Sequence, residues 1–356
     1  MTLTELMRGA LERNASDIHL KTGNPPIYRI DGHLVRLEGD PLCDEDIVRM
    51  LQEIADPKDI AYFEKVKELD ASYVIEGLAR FRVNACCDDG DTRIVLRTIP
   101  LAIQDVASLG LPPVLTRLSQ LRNGLVLVTG VTGSGKSTTL AALIDAINTT
   151  RAVHVVTVED PLEFVHEDKK AIITQREVGR DTLSFANALR GALRQDPDVI
   201  LIGEMRDAET VKTALGSAET GHLVLSTLHT VDAVETLNRI LDFFEPHQQP
   251  QIRKQLASVL RAVISQRLLP LKGGGRCAAV ELLLGSRTVR DFIEQGKSFK
   301  DIVRLIQEGA DQYGMQTFDM ALYDLYQAGR IDAETALLHA TSPKDLKLRI
   351  QGLSGR

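Results

Sequence analysis

Residues 124–140 read GLVLVTGVTGSGKSTTL, and the reading of this stretch decides the fold. Leu125 to Val128 is an apolar, partly β-branched run with the signature of a buried strand. A glycine-rich turn follows, Gly130 and then Gly133-Ser134-Gly135, and a helix-forming run opens at Lys136. The spacing is GxxxxGK[ST], a phosphate-binding loop in the strand–turn–helix setting that such a loop requires. Glycines let the backbone wrap closely around phosphate oxygens, so that successive N–H groups and a helix N-terminus point at negative charge. Gly130, Thr132, Gly133, Ser134, Gly135, Lys136, Ser137 and Thr138 are therefore the candidate nucleotide-binding residues. Lys136 suits the β/γ-phosphates and Ser137 suits Mg2+.

Outward from the loop, β-branched runs at 153–158, 199–202 and 223–227 alternate with helical patterns over 136–148, 183–194 and 208–219. Such alternation predicts an α/β domain, a largely parallel sheet covered by helices on both faces. Beyond Leu228 the chain reads as mostly helical, over 233–242, 248–267, 288–295, 299–309, 315–328 and 332–339, with one short strand at 278–284. Upstream, a mixed α+β domain is expected. It has a helix on Leu3, Leu6, Met7, Ala10 and Leu11, a strand at 16–20 and a hairpin turning at Asp31-Gly32. Helices over 44–54 and 57–68 and strands at 71–75, 79–85 and 92–98 complete it. Residues 100–113 hold three prolines and a glycine without strong periodicity, a linker and candidate hinge. The expected divisions are 1–99, the linker 100–113, a core 114–285 around the phosphate loop and a helical region 286–356.

At 356 residues the chain suits two or three domains. A net charge of −7 argues against a sequence-independent nucleic-acid binder, which needs a basic track. No apolar run approaches the ~18 residues that span a bilayer. The first residues form an amphipathic pattern and not a secretion signal, so a cytoplasmic location without membrane insertion is expected. Cys43, Cys86, Cys87 and Cys277 lack CxxC spacing, and neither a zinc site nor a disulfide framework is indicated.

Hydrolysis needs more than a phosphate loop: a metal and a group that orients water. The run LRQDPDVILIGEMRD at 193–207 is an apolar strand ending in an acidic cluster, and strand ends at the carboxyl edge of a parallel sheet are where ligands bind. Glu204 is the candidate to polarise water or to hold Mg2+ through its waters, whereas Asp198, at the strand's start, should lie away from the nucleotide. A second acidic group, VEDPLE at 158–163, directs Glu159 and Glu163 toward the same edge. His222 and His229 bracket another apolar strand; His229, at the carboxyl end, is the candidate γ-phosphate sensor. Strand alternation puts Arg80 and Arg82 on one face, and Arg93 and Arg97 on a common face, of the upstream domain.

On these motifs the chain resembles the secretion-type ATPases of type II secretion and type IV pili. The carrying segments are GVTGSGKSTT (130–139), VEDPLEF (158–164), LRQDPDVILIGEMRD (193–207) and ETGHLVLSTLHT (219–230). The resemblance implies a PAS-like N-terminal domain and a RecA-like P-loop NTPase domain with a helical C-terminal extension. It implies ATP and Mg2+ as cofactors, with Ser137 and Glu204 at the metal. It makes Glu204 the catalytic glutamate, Glu163 a second acidic participant, His222 and His229 a histidine pair, and Arg82 and Arg97 arginine fingers. The implied working unit is a homohexamer, peripheral at the inner membrane, acting on a pilus platform protein and not on nucleic acid. One compact N-terminal domain and the absence of a four-cysteine motif resemble the retraction branch; pilus extension, secretion and DNA translocation are the alternatives. Val131 stands where proline is usual, Ser226 where glycine is usual, and 288–295 departs from the branch's pattern.

Overall fold

The computed structural model describes residues 2–30, 32–75, 79–99, 103–296 and 298–353. The chain divides into two compact units, residues 1–102 and 103–356.

The first unit is built on β1 (Asp17–Lys21), β2 (Ile27–Ile30), β3 (His33–Arg36), β4 (Glu68–Ile75), β5 (Ala79–Asp88) and β6 (Asp91–Ile99). They form an antiparallel sheet in the order β3-β2-β1-β6-β5-β4. Period-two alternation sends Phe81, Val83, Ala85, Ile94 and Leu96 into one core with Leu3, Leu6 and Met7 of the helix Leu3–Glu12 and with Ile47 and Leu51 of the helix Asp44–Ile54. Thr2 and Glu5 close a capping box that starts the first of these helices. The opposite face of the sheet carries Arg29, Asp17, Arg97 and Arg82 in register, a polar side on which Asp17 is buried among its neighbours. Of the expected turn, Asp31 lies outside the described residues, but β2 and β3 pair through Ile30 and His33 on either side of it. The helix expected over 57–68 ends at Val66, because Lys67 turns left-handed (φ 66°) into β4.

The second unit holds β7 (Gly124–Thr129), β8 (His154–Glu159), β9 (Ile172–Glu177), β10 (Val199–Ile202), β11 (Leu223–Leu228), β12 (Leu260–Pro270) and β13 (Arg276–Leu284). Their order is β13-β12-β7-β11-β10-β8-β9, parallel throughout except for the antiparallel pair β12–β13. Every residue of β7 is buried, because its two faces feed two cores. Leu125 and Leu127 pack with Val211 and Leu237; Val126 and Val128 pack with Leu140, Leu143 and Ile144 of the helix Lys136–Thr150. Each such buried leucine or valine contributes about 1.5–3 kcal/mol relative to exposure. This is the expected α/β architecture with helices on both faces.

The sequence reading errs downstream of Leu228. The helix expected over 248–267 stops at Val259, and residues 260–270 are β12. Lying between β7 and β13, β12 is buried on both faces, so its apolar run has no period-two signal to separate it from the helix before it. No glycine or proline marks the junction. The edge strand β9 and the short helix Pro343–Ile350 were also not expected. Within the expected linker, residues 100–102 lie outside the described residues. The remainder belongs to the second unit, with Val106 and Leu111 buried beside Leu115 and Leu118.

Candidate nucleotide site

Parallel pairing places the carboxyl ends of β7, β11, β10 and β8 side by side. Each end delivers part of one site. The phosphate loop leaves β7 at Gly130 and enters its helix at Lys136. Gly130, Gly133 and Gly135 all have positive φ (145°, 80° and 92°), a conformation that side chains rarely adopt. At Gly133 and Gly135 a Cβ would meet nothing within 4 Å, so the backbone there is open to a ligand. Gly130 is different: a Cβ there would collide with Ser134 Oγ and lie 2.5 Å from the Gln266 carbonyl oxygen. Ser134 Oγ is itself buried without a hydrogen-bond partner. An open, donor-lined cradle with an orphaned hydroxyl and a lysine fits a polyphosphate.

The Lys136 ammonium donates to the carbonyls of Gly130 (2.9 Å) and Val131 (3.0 Å). Burial pushes its pKa below the ordinary lysine value, while the Glu204 and Glu163 carboxylates act the other way. Both acids that the sequence singled out therefore feel this ammonium. Glu204 follows β10, one residue past Gly203, and its Oε2 lies 3.4 Å from His229 Nε2. His229 follows β11, and its Nδ1 stands 3.5 Å from Thr132 Oγ1 in the loop. The histidine thus bridges the loop and the carboxylate. Ser137 is half-buried at the helix start, directly after Lys136. Beside Glu204 and His229 a cavity of about 270 Å³ opens, lined also by Arg206, Thr230, Glu235 and Arg239.

The acidic turn after β8 closes the far side. Glu159 is half-buried at the end of β8, and desolvation there raises its pKa to about 7, against hydrogen bonds from the Thr157 hydroxyl (2.8 Å) and the Glu163 N–H (3.4 Å). That second bond tethers the exposed Glu163 to the strand end. Asp198 lies at the other edge, where it accepts the His154 N–H at 2.9 Å, away from the loop as expected. His222 is not brought to the cluster. It precedes β11, with Nδ1 2.9 Å from the Ser217 carbonyl, and the six-residue strand puts it roughly 20 Å from His229.

Several participants escaped the sequence reading. Arg206 Nε donates to Glu204 Oε2 at 2.7 Å and its Nη1 lies 3.8 Å from Asp160 Oδ2, so one guanidinium spans two strand ends. The only available signal was its place two residues past Glu204. Gln266, buried on β12, donates to Thr139 Oγ1 (2.8 Å) and braces the loop's helix; reading that segment as helix concealed it. Ser226 donates to the Ile202 carbonyl (2.8 Å), joining β11 to β10 through a side chain.

In the first unit, Arg97 Nε donates to Asp17 Oδ1 at 2.9 Å, and Arg82 lies 3.9 Å from Asp70. Arg82 and Arg97 are direct cross-strand partners.

A parallel sheet whose strand ends gather a GxxxxGKS loop, an acidic strand end and a bridging histidine defines a P-loop nucleotide-binding protein. The family described as "Type II/IV secretion system protein" matches residues 1–281, and the chain belongs to it. It is 46% identical, over 97% of its length and all of the relative's, to the type IV pilus retraction ATPase PilT of Pseudomonas aeruginosa. It is 42% identical to a twitching motility protein of Neisseria gonorrhoeae, over 90% of this chain and 86% of that one. The solved pilus retraction motor PilT with bound ADP superposes with a TM-score of 0.91 at 45% identity, covering 98% of this chain and 99% of that one.

Proposed function

We propose that this chain is an ATPase motor that couples ATP hydrolysis to type IV pilus retraction and so to twitching motility. The observation that carries the reading is the meeting of Glu204, His229 and Thr132 beside Lys136. The near-full-length similarity to a retraction ATPase supports retraction over extension or secretion. In finer terms, the first unit is read as PAS-like and the second as a RecA-like core with a helical extension.

Bound Mg2+, held by Ser137 and through water by Glu204, would neutralise charge on the β- and γ-phosphates. Lys136 exchanges the carbonyls of Gly130 and Val131 for phosphate oxygens, and the N–H groups from Gly130 to Thr138 hold the rest. Glu204 orients the attacking water, for which the adjoining cavity has room. His229 reports the γ-phosphate to Glu204, and Glu163 shares the basic role. Arg82 and Arg97 supply positive charge to the transferring phosphoryl group as arginine fingers. His222 acts from the far edge of the sheet, fixing the junction before β11. The working unit is a homohexamer at the cytoplasmic face of the inner membrane, docked on a pilus platform protein and independent of nucleic acid. Among the described residues no helix is long and apolar enough to cross a membrane.

The test is Glu204→Gln, which should lower kcat by about 100-fold or more while ATP still binds. Deleting the gene separates the branches. Excess, non-retracting pili support retraction, bald cells point to extension, and DNA-stimulated, salt-sensitive hydrolysis by the purified protein points to a translocase.

A further inference from the structure

On the open face of the first unit's sheet, register aligns five residues in one row across five strands: Arg29, Asp17, Arg97, Arg82 and Ser72. Two like charges, Arg97 and Arg82, stand directly opposite each other, an unfavourable pairing that a fold does not need for its own sake. Asp17 is the row's single carboxylate, and it is 5% exposed. Its Oδ2 accepts the Ser16 hydroxyl at 2.8 Å and lies 3.7 Å from Arg29 Nε, while its Oδ1 takes Arg97 Nε at 2.9 Å. The pairing with Arg97 and the Ser16 hydroxyl outweigh burial and hold its carboxyl below the ordinary aspartate range. Arg97 is engaged through Nε, and its side chain remains 64% exposed. A guanidinium held at Nε has lost its rotational freedom but keeps both Nη groups, the edge that forks onto phosphate oxygens.

We propose that Asp17 is a positioning residue for Arg97: it grips Nε so that the Nη fork is held in one orientation, ready to receive phosphate oxygens. Preorganisation of this kind acts in the transition state more than on substrate binding, because the donor need not be ordered at the moment of reaction. The proposal rests on the reading of Arg97 as an arginine finger. The Ser16 hydroxyl donates to the second carboxylate oxygen and Arg29 stands 3.7 Å from it, so both oxygens of Asp17 have partners.

The experiment is steady-state ATP hydrolysis by the full chain, with nucleotide affinity measured in parallel, for Asp17→Asn, Asp17→Ala, Arg97→Ala and the combination of the last two. Asp17→Ala should lower kcat by about 10-fold or more with KM within about twofold, and Asp17→Asn, which keeps the acceptor but not the charge, should recover part of that loss. In the Arg97→Ala background Asp17→Ala should cost nothing further, since its only route to the reaction is gone. An equal loss in both backgrounds would assign Asp17 a structural role and overturn the proposal. So would wild-type turnover in both Asp17 variants while Arg97→Ala is inactive, which leaves the finger reading standing. Wild-type turnover in Arg97→Ala would overturn the finger reading and this proposal with it. Should Asp17→Ala fail to fold, Asp17→Asn, which is nearly isosteric, carries the same comparison.

Discussion

Arg206 and Glu204 are joined by a 2.7 Å hydrogen bond between Nε and Oε2, on the same carboxylate oxygen that faces His229. That oxygen lies against both the Arg206 guanidinium and the His229 imidazole. Arg206 also approaches Asp160 on the turn after β8, so it ties the strand end that carries Glu204 to its neighbour across the sheet. The arrangement fixes the carboxylate's rotamer before any nucleotide arrives.

Arg206→Ala should lower kcat about 10-fold, with ATP affinity changed little, because the carboxylate loses its orientation and not its charge. Arg206→Lys should recover only part of the rate, since an ammonium cannot reproduce the planar donor geometry. Steady-state kinetics beside a nucleotide-binding titration checks this; unchanged kcat in Arg206→Ala would show that Glu204 is held by other means.

The glycines of the loop are predicted to differ from one another. Gly130→Ala drives a methyl group into Ser134 Oγ and the Gln266 carbonyl on top of its own left-handed backbone cost, so ATP affinity should fall by about 100-fold or more. Gly133→Ala meets no atom within 4 Å and carries only the left-handed backbone cost, about 1–2 kcal/mol. Isothermal titration with ATP should rank the two in that order, and equal losses would mean that backbone strain alone governs the loop.

How much of this was legible beforehand divides along physical lines. The loop, Glu204 and His229 were readable because each follows a short buried strand, and a parallel sheet brings such ends to one edge. His222 enters only as the partner that the resemblance gives His229; the two bracket β11, and the strand's direction, readable in the sequence, sends His222 to the opposite edge, where the register puts it. The strand β12 was hidden because a segment buried on both faces loses its alternation. Gln266 vanished with it. Contacts such as Arg206 with Asp160, or Asp17 with Arg97, join residues far apart in sequence, and no local spacing encodes them.

Ser226 gives a prediction that runs against family habit. Its hydroxyl is buried and donates to the Ile202 carbonyl across β10 and β11. Replacing it with the glycine usual at this position removes the bond and adds backbone freedom to the unfolded chain, so Ser226→Gly should destabilise by about 1–2 kcal/mol. Hydrolysis at 25 °C should be unaffected, since the side chain points across the strands and not to the loop. A lower thermal midpoint with unchanged kcat is the expected pair of results; an unchanged midpoint would show that the serine is merely tolerated.

Glu281 carries the pH prediction. It is buried on β13, where Oε1 accepts the Ala233 N–H at 2.9 Å, and burial raises its pKa to about 7 from the usual 4.5. The hydrogen bond from Ala233 and the charge of Arg267 oppose that rise, while Asp232 and Asp319 add to it. Between pH 4.5 and about 7 the folded chain therefore holds a proton that the unfolded chain has released. The unfolded state binds fewer protons there, so stability falls as pH rises through this window, by up to about 3 kcal/mol for one such group. Glu159, raised to about 7 by its own burial, contributes a second slope of the same sign. Glu281→Gln keeps an oxygen for the Ala233 N–H and removes the titration. The variant's thermal midpoint should then fall less steeply than the wild type's from pH 5 to pH 8, and it should be the more stable of the two at pH 8. Parallel pH profiles for the two proteins would mean that Glu281 is already ionised throughout, held so by Arg267 and the N-terminus of the helix Ala233–Asp242.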